Sequence, residues 1–446
     1  MKSYPSYKDS GMEWIGMIPT DWDCFRLGML GVFSSSGIDK KSKDDEENVR
    51  MVNYTDLIKG KNRNPVLKGD NDYMKVTTPQ SKLVEHKLEK GDMVFIPSSE
   101  TYEDLGYSSL IDFEEDDIVY SYHILRFKNH RPMFHYFKKY FINHHSVLNQ
   151  FSLKGKGTTR QIIGRNVFRN VRVVLPPLPE QKQIVSFLDT KTQKIDELIE
   201  KTEQKIELLK EKRTSLINHC VTKGLNPNVE MKDSGVEWIG EIPSHWEVKP
   251  IKYISDYNQD SLGSDTPSEY ELDYLEISDV NSVGEIGKPT HYTFSKSPSR
   301  CRRILNKNDI IISTVRTYLR SIGFIENEVQ NLICSTGFCV LTPKNMIEPK
   351  LLFYLVRSEW FISKVISKSV GVSYPGIQTE KLMSIKVLLP PISEQTQIVE
   401  YLDEQTQKID STIEKETQRI ELLKEYRQSL ISEVVTGKVD VRDWKE

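Results

Sequence analysis

Fifteen residues near the start of the chain return almost unchanged in its second half. Residues 8–22 (KDSGMEWIGMIPTDW) and 232–246 (KDSGVEWIGEIPSHW) agree at 11 of 15 positions, and residues 175–217 agree with 389–431 at 29 of 43. Repetition at this scale means two similar halves, and missing it would mislead any local reading of the architecture. The stretches between the repeated blocks, 23–174 and 247–388, are 152 and 142 residues long and much more weakly alike. A skeleton persists within them. Residues 91–96 (GDMVFI) resemble 308–313 (NDIIIS), Gly157 matches Gly371, Ile163 matches Ile377 and Phe168 matches Leu382. The pattern is a shared frame with divergent filling.

From Glu180 the apolar spacing becomes helical. Ile195, Ile199, Thr202, Ile206, Leu209, Arg213 and Leu216 lie alternately four and three apart, and Ile409, Ile413, Glu416, Ile420, Leu423, Arg427 and Leu430 repeat the series. That is a heptad seam. Pro176, Pro177 and Pro179, and again Pro390 and Pro391, stand before the helices, where they interrupt no hydrogen-bond ladder. A helix from Glu180 to about Asn218 would be a rod of roughly 55–60 Å. Two such rods bury their narrow seams most simply against each other, as a coiled coil separating the divergent domains. Thr202 and Glu416 interrupt the seam at matching positions, either fixing its register or lying on a solvated flank.

The divergent stretches mix strand-like runs (92–96, 309–312, 338–341) with short helical ones (135–148, 349–365), an α+β composition. The expected order is a repeat motif at 1–22, a domain at 23–174, a long helix at 175–222 and a linker with the second motif at 223–246. A second domain at 247–388, a second long helix at 389–437 and a tail at 438–446 follow. Trp14, Trp22, Trp238 and Trp246 are expected to be core anchors that clamp each domain to the helices.

Charge then restricts the partners. Sixty-one basic residues against 64 acidic ones leave a net −3, so any polyanion-binding surface must be a local patch. No apolar run approaches the ~20 residues that span a bilayer and no leader-like stretch opens the chain, so a cytoplasmic protein is expected. The five cysteines are scattered without a CxxC pair and the nine histidines form no ligand pattern; reduced thiols and no metal site are expected. A phosphate-cradling Gly-x-x-x-x-Gly-Lys motif is absent, as is the Asn/Asp-Pro-Pro-aromatic motif of amino-group methyltransferases. No catalytic residue is visible.

Local positive charge is visible. Residues 152–179 hold Lys154, Lys156, Arg160, Arg165, Arg169 and Arg172 and no acid, and open as LKGKGTTRQ. Glycines there let backbone N–H groups approach phosphates. Lys154, Lys156, Thr158 and Thr159 suit backbone contacts, while Arg160, Arg165 and Gln161 suit guanine and adenine edges; a solvated turn is the alternative. The matching stretch of the second half offers Ser373, Tyr374 and Gln378, and a further candidate offers Arg316, Tyr318 and Arg320, with 300–303 (RCRR) before it. Pairing of these arginines with nearby acids is equally open.

The duplicated motif, the LPP-[LI]-x-EQ-x-QIV helix openings and the tails Val221-Thr222 and 435–438 (VTGK) resemble the specificity subunit of Type I restriction–modification enzymes over nearly the whole chain. The resemblance implies two target-recognition domains, each reading half of a bipartite, asymmetric double-stranded DNA site, joined by two antiparallel helices that set the spacing. It implies no catalysis and no cofactor in this chain. Two modification subunits using S-adenosylmethionine, and restriction subunits using ATP and magnesium, would be its partners. It maps recognition loops onto 313–323 and 97–106. Because 98–104 is acidic where the other half carries Arg316 and Arg320, the first domain is expected to lean on 154–161 instead. A coiled-coil scaffold binding only protein is the rival reading; it leaves the two diverged α+β domains unexplained.

Overall fold

The computed structural model describes residues 2–60, 62–236 and 238–445. Met1, Lys61, Glu237 and Glu446 lie outside the described residues, among them one position of the second motif and the outermost position at each end. The chain forms two compact units, Met1–Thr202 with Gln418–Glu446, and Glu203–Thr417. Each has a mixed helix and strand architecture.

The first unit opens with an antiparallel hairpin, Tyr7–Asp9 against Met17–Pro19. Its main sheet runs in the order Gly31–Ser35, Leu125–Asn129, Met93–Phe95, Ser108–Ile111, Val66–Leu67. The central strand is apolar throughout because both faces are covered. Met93 and Phe95 point into the core shared with the long helices, while Val94 and Ile96 point into a second core beneath the three-stranded sheet built on Glu47–Val52. The second unit repeats the arrangement. Ile310 and Ile312 enter the helix-side core and Ile311 the other, from a sheet ordered Ser255–Tyr257, Phe338–Pro343, Ile310–Ser313, Ile322–Phe324. The turns entering the two central strands match: Gly91 and Asn308 both have positive φ (92° and 68°). Asp92 and Asp309 are both buried and accept from the backbone N–H of Glu89 (3.0 Å) and Asn306 (2.7 Å).

Two helices exceed every other element, Leu178–Lys223 with 46 residues and Ile392–Val435 with 44. The first starts at Leu178, ahead of the Glu180 where the helical spacing begins, and takes Pro179 into its opening turn, where a missing N–H costs nothing. In the first unit Ile195, Leu430, Ile431 and Val434 share one core, and Arg427 Nε meets Asp196 Oδ1 at 2.8 Å. In the second, Ile217, Cys220, Ile398 and Leu402 do so, and Arg213 Nε meets Asp410 Oδ1 at 2.9 Å. Thr202 and Glu416 are both buried, so neither lies on a solvated flank. Thr202 Oγ1 donates back to the Leu198 carbonyl, and Lys205 Nζ meets Glu416 Oε1 at 2.6 Å.

The joints between domain and helix coincide too. Trp22 and Trp246 are fully buried and donate Nε1–H to Glu180 (3.0 Å) and Glu394 (3.1 Å) in the opening turns of the helices. Tyr140 and Tyr354 donate to Asp189 (2.6 Å) and Asp403 (2.7 Å). Trp14 and Trp238 depart from the core role expected of them: they are 53% and 45% exposed. In the first motif the turn directs Met12 and Ile15 inward, which leaves the intervening Trp14 facing out. Lys364 Nζ lies 3.6 Å from the Trp238 ring centroid.

Candidate nucleic-acid interface

In the first unit a tight loop is closed where Lys156 and Ile162 exchange two backbone hydrogen bonds (3.1 and 2.9 Å). Gly157 sits at φ 140°, and a Cβ there would lie 2.0 Å from the Arg160 carbonyl, so the position requires glycine. Lys156, Thr158, Thr159 and Arg160 are exposed on the loop. Lys154 is exposed beside it, in a groove of about 540 Å³ that also includes Trp14 and Leu153. Arg165 opens the helix Arg165–Asn170 and donates to Ser35 Oγ at 2.6 Å.

The two segments expected to read DNA in this domain are neighbours. Residues 98–99 pair antiparallel with 161–162, and Ile163 N–H donates to the Pro97 carbonyl at 2.9 Å. Arg160 Nε donates to Ser98 Oγ at 2.7 Å and its guanidinium lies 6.0 Å from the Tyr54 ring centroid. The acidity of 98–104 is partly taken up internally, since Asp104 meets Arg63 at 3.0 Å and accepts from Thr101 at 2.8 Å.

The second unit carries the same pair of loops. Val370 and Gly376 exchange backbone hydrogen bonds (2.8 and 3.0 Å), Gly371 has φ 117°, and Ile377 N–H donates to the Thr314 carbonyl at 2.9 Å. Ser373, Tyr374 and Gln378 are exposed. The partner loop presents Tyr318, 51% exposed, and Arg316, whose guanidinium lies 4.6 Å from the Tyr374 ring centroid.

The model of the Type I restriction modification DNA specificity domain matches residues 19–208 and again 243–424. The chain belongs to this specificity family. The MjaVIII specificity subunit of Methanocaldococcus jannaschii is 28% identical over 65% of this chain and 67% of its own length. The putative MjaX specificity subunit of the same organism is 24% identical over 96% of each. Among solved structures, a chain from work on complex assembly and conformational transition of the type I R-M system matches at TM-score 0.69 and 18% identity, covering 95% of this chain and 99% of that one. The HsdS subunit from Thermoanaerobacter tengcongensis matches at TM-score 0.50 and 19% identity, over 95% and 98%. At these identities the solved structures establish the fold.

Two of the expected contact residues have partners within this specificity chain. Gln161 is buried, and its Nε2 donates to the Gly157 carbonyl at 2.7 Å, so its amide closes the loop from inside. Arg320 is held in a two-pronged ion pair with Glu359 (2.5 and 3.0 Å), the pairing with an acid that its sequence context left open. Other residues come to the loops from distant parts of the chain. Tyr54 and His123 lie by Arg160, where burial and then the arginine's charge lower the imidazole pKa. In the second unit Tyr274, Asn281 and Arg300 line, with Arg316 and Tyr374, a cleft of about 770 Å³. Only Arg300 carried a sequence signal, as the first of a basic run.

The cysteines are free thiols, and burial pushes Cys220 and Cys301 up to about 11. Among the described residues there is no cluster able to hold a metal ion and no helix long and apolar enough to cross a membrane. What the arrangement offers is exposed hydrogen-bond donors, cations and aromatic faces, the chemistry of nucleic-acid contact.

Proposed function

We propose that this chain is the non-catalytic, sequence-reading subunit of a Type I restriction–modification complex, each unit reading one half of a bipartite, asymmetric double-stranded DNA site. One observation carries the reading: both units hold an equivalent pair of hydrogen-bonded loops on equivalent frames, and the exposed side chains of those loops differ. Like frames with unlike readers suit two different half-sites addressed by one assembly.

The same proposal makes the two long helices an antiparallel coiled coil arising from internal duplication. Supporting it, Asp196 meets Arg427 while Arg213 meets Asp410, so rising numbers on one helix meet falling numbers on the other. The helices would set half-site spacing and dock two modification subunits, with restriction subunits joining them in the cytoplasm. S-adenosylmethionine, ATP and magnesium would act on those partners.

The test is co-expression with the modification subunit of the same genome, followed by mapping of methylated adenines. A split motif methylated on both strands is expected, and exchange of residues 23–174 for another recognition domain should alter one half only. A folded chain that forms no such complex and yields no motif would favour a protein-binding scaffold.

A further inference from the structure

The loop after the central strand of the second unit holds two arginines in unlike states. Both Arg316 and Arg320 have left-handed backbone conformations (φ 49° and 57°), which side-chain-bearing residues rarely adopt, and they bracket a single 3-10 turn, Thr317–Leu319. Arg320 is braced by both Glu359 carboxylate oxygens. Thr317 is buried, and its hydroxyl lies 2.9 Å from that of Ser369. Arg316, by contrast, has no side-chain hydrogen bond or ion pair among the described residues. Its guanidinium lies over the face of Tyr374, at the wall of the 770 Å³ cleft that Arg300 and Asn281 also line. A guanidinium held over an aromatic ring by its charge still has N–H donors to offer another partner. Two parallel edge donors match O6 and N7 of guanine in the major groove.

We propose that Arg316 is the guanine-reading side chain of the second unit, with Arg320 and Glu359 as the brace that positions its loop. This rests on the DNA-reading function proposed above. The strained turn fixes where the arginine leaves the backbone, and the Tyr374 ring lies against its guanidinium, so less freedom is lost when a base is met.

The test selects random DNA duplexes with the full chain assembled with its modification subunit, then sequences the bound pool. Arg316→Ala should flatten one G·C position in one half-site and weaken the selected sequence roughly 10- to 100-fold, leaving the other half-site intact as an internal control of folding and assembly. Arg316→Lys should not restore the preference, because an ammonium offers no planar pair of donors. Tyr374→Phe should keep it and Tyr374→Ala should reduce it at the same position. An unchanged profile for Arg316→Ala would overturn the proposal while sparing the DNA-reading function. Uniform weakening across all sequences, with a smaller salt slope, would make Arg316 a phosphate contact and overturn it too. If the unmodified assembly selects no split sequence, the function itself fails and the proposal with it.

Discussion

The first unit's loop ends in Lys156, Thr158, Thr159 and Arg160, whereas its counterpart ends in Val370, Val372, Ser373 and Tyr374, with Val372 fully exposed. Beneath these tips the backbones agree. A glycine at positive φ follows the closing bridge, a buried isoleucine follows the loop (Ile163 or Ile377), and that isoleucine's N–H docks on the neighbouring loop. The contrast separates two kinds of information. Inward-facing and backbone-determining positions specify where a loop stands, and outward-facing ones, which cost little stability to change, specify what it meets.

The strongest way to break the equivalence of the frames lies at their joints. Trp22→Ala and Trp246→Ala should each cost about 3–5 kcal/mol, since each empties a fully buried indole site and removes a donor from a glutamate at a helix start. Urea denaturation of the full chain measures both. Similar losses are expected, and a cost below about 1 kcal/mol at either site would show that the two joints are not energetically alike.

Next comes a difference built into the cores. His144 stands just before the helix His145–Ser152, where the other unit places Ser358 before Glu359–Lys368; both are buried, and neither side chain caps its helix. Burial, opposed by a backbone hydrogen bond at Phe141, pushes the imidazole down to about 4 from 6.5. Below pH 6.5 the unfolded chain binds a proton that the folded chain refuses. This stability is therefore present above pH 6.5 and lost as pH falls toward 4, on the order of 2–3 kcal/mol. His144→Gln should flatten the pH dependence of stability in that window. An unchanged acid limb would show that other groups govern it.

Much of this frame was legible in the sequence because its two halves repeat, so each served as a control for the other. The GDMVFI and NDIIIS runs mark equivalent central strands, and Gly157 and Gly371 mark equivalent loops, since a steric demand of the backbone leaves a residue signature. The helical stretches 135–148 and 349–365 were legible only as single elements. The first is broken around Ile142–His144 and the second at Arg357–Ser358, where the chain turns to pack. Direction of a polar side chain was not legible. Gln161 and Arg160 are adjacent and equally suited to a base edge, yet one faces in and the other out. Likewise nothing local distinguishes Trp14 from Trp22. Arg320 needed Glu359, 39 positions away, and Arg160 needed Tyr54 and Ser98, which tertiary structure alone brings near.

A smaller effect sharpens the contrast between tips. In the assembled complex, Lys156→Ala or Arg160→Ala should lower the slope of log affinity against log salt by about 0.9 per lost phosphate contact. Tyr374→Ala should leave that slope unchanged, because Tyr374 carries no charge. If neither basic substitution alters affinity or slope, the first loop does not meet phosphate.

The smallest expected effect concerns the helix ion pairs, Asp196 with Arg427 and Asp410 with Arg213. Each lies at the equivalent place in its unit, and in each the carboxylate is about half exposed, 53% and 51%. Solvent screening therefore limits either pair to roughly 0.3–1 kcal/mol, and a double-mutant cycle is the measurement that isolates it. The Arg213 side chain is less exposed than that of Arg427, 16% against 34%, so its pair should show the larger coupling and the weaker dependence on salt. Exchanging the charges in one pair, Asp196→Arg with Arg427→Asp, should recover most of what either single change loses, because geometry and not the identity of the charged partner sets this contact. No recovery would mean that the arginine stems contribute by packing along the helices, and that the matching ion pairs are a by-product of the seam rather than a device that registers it.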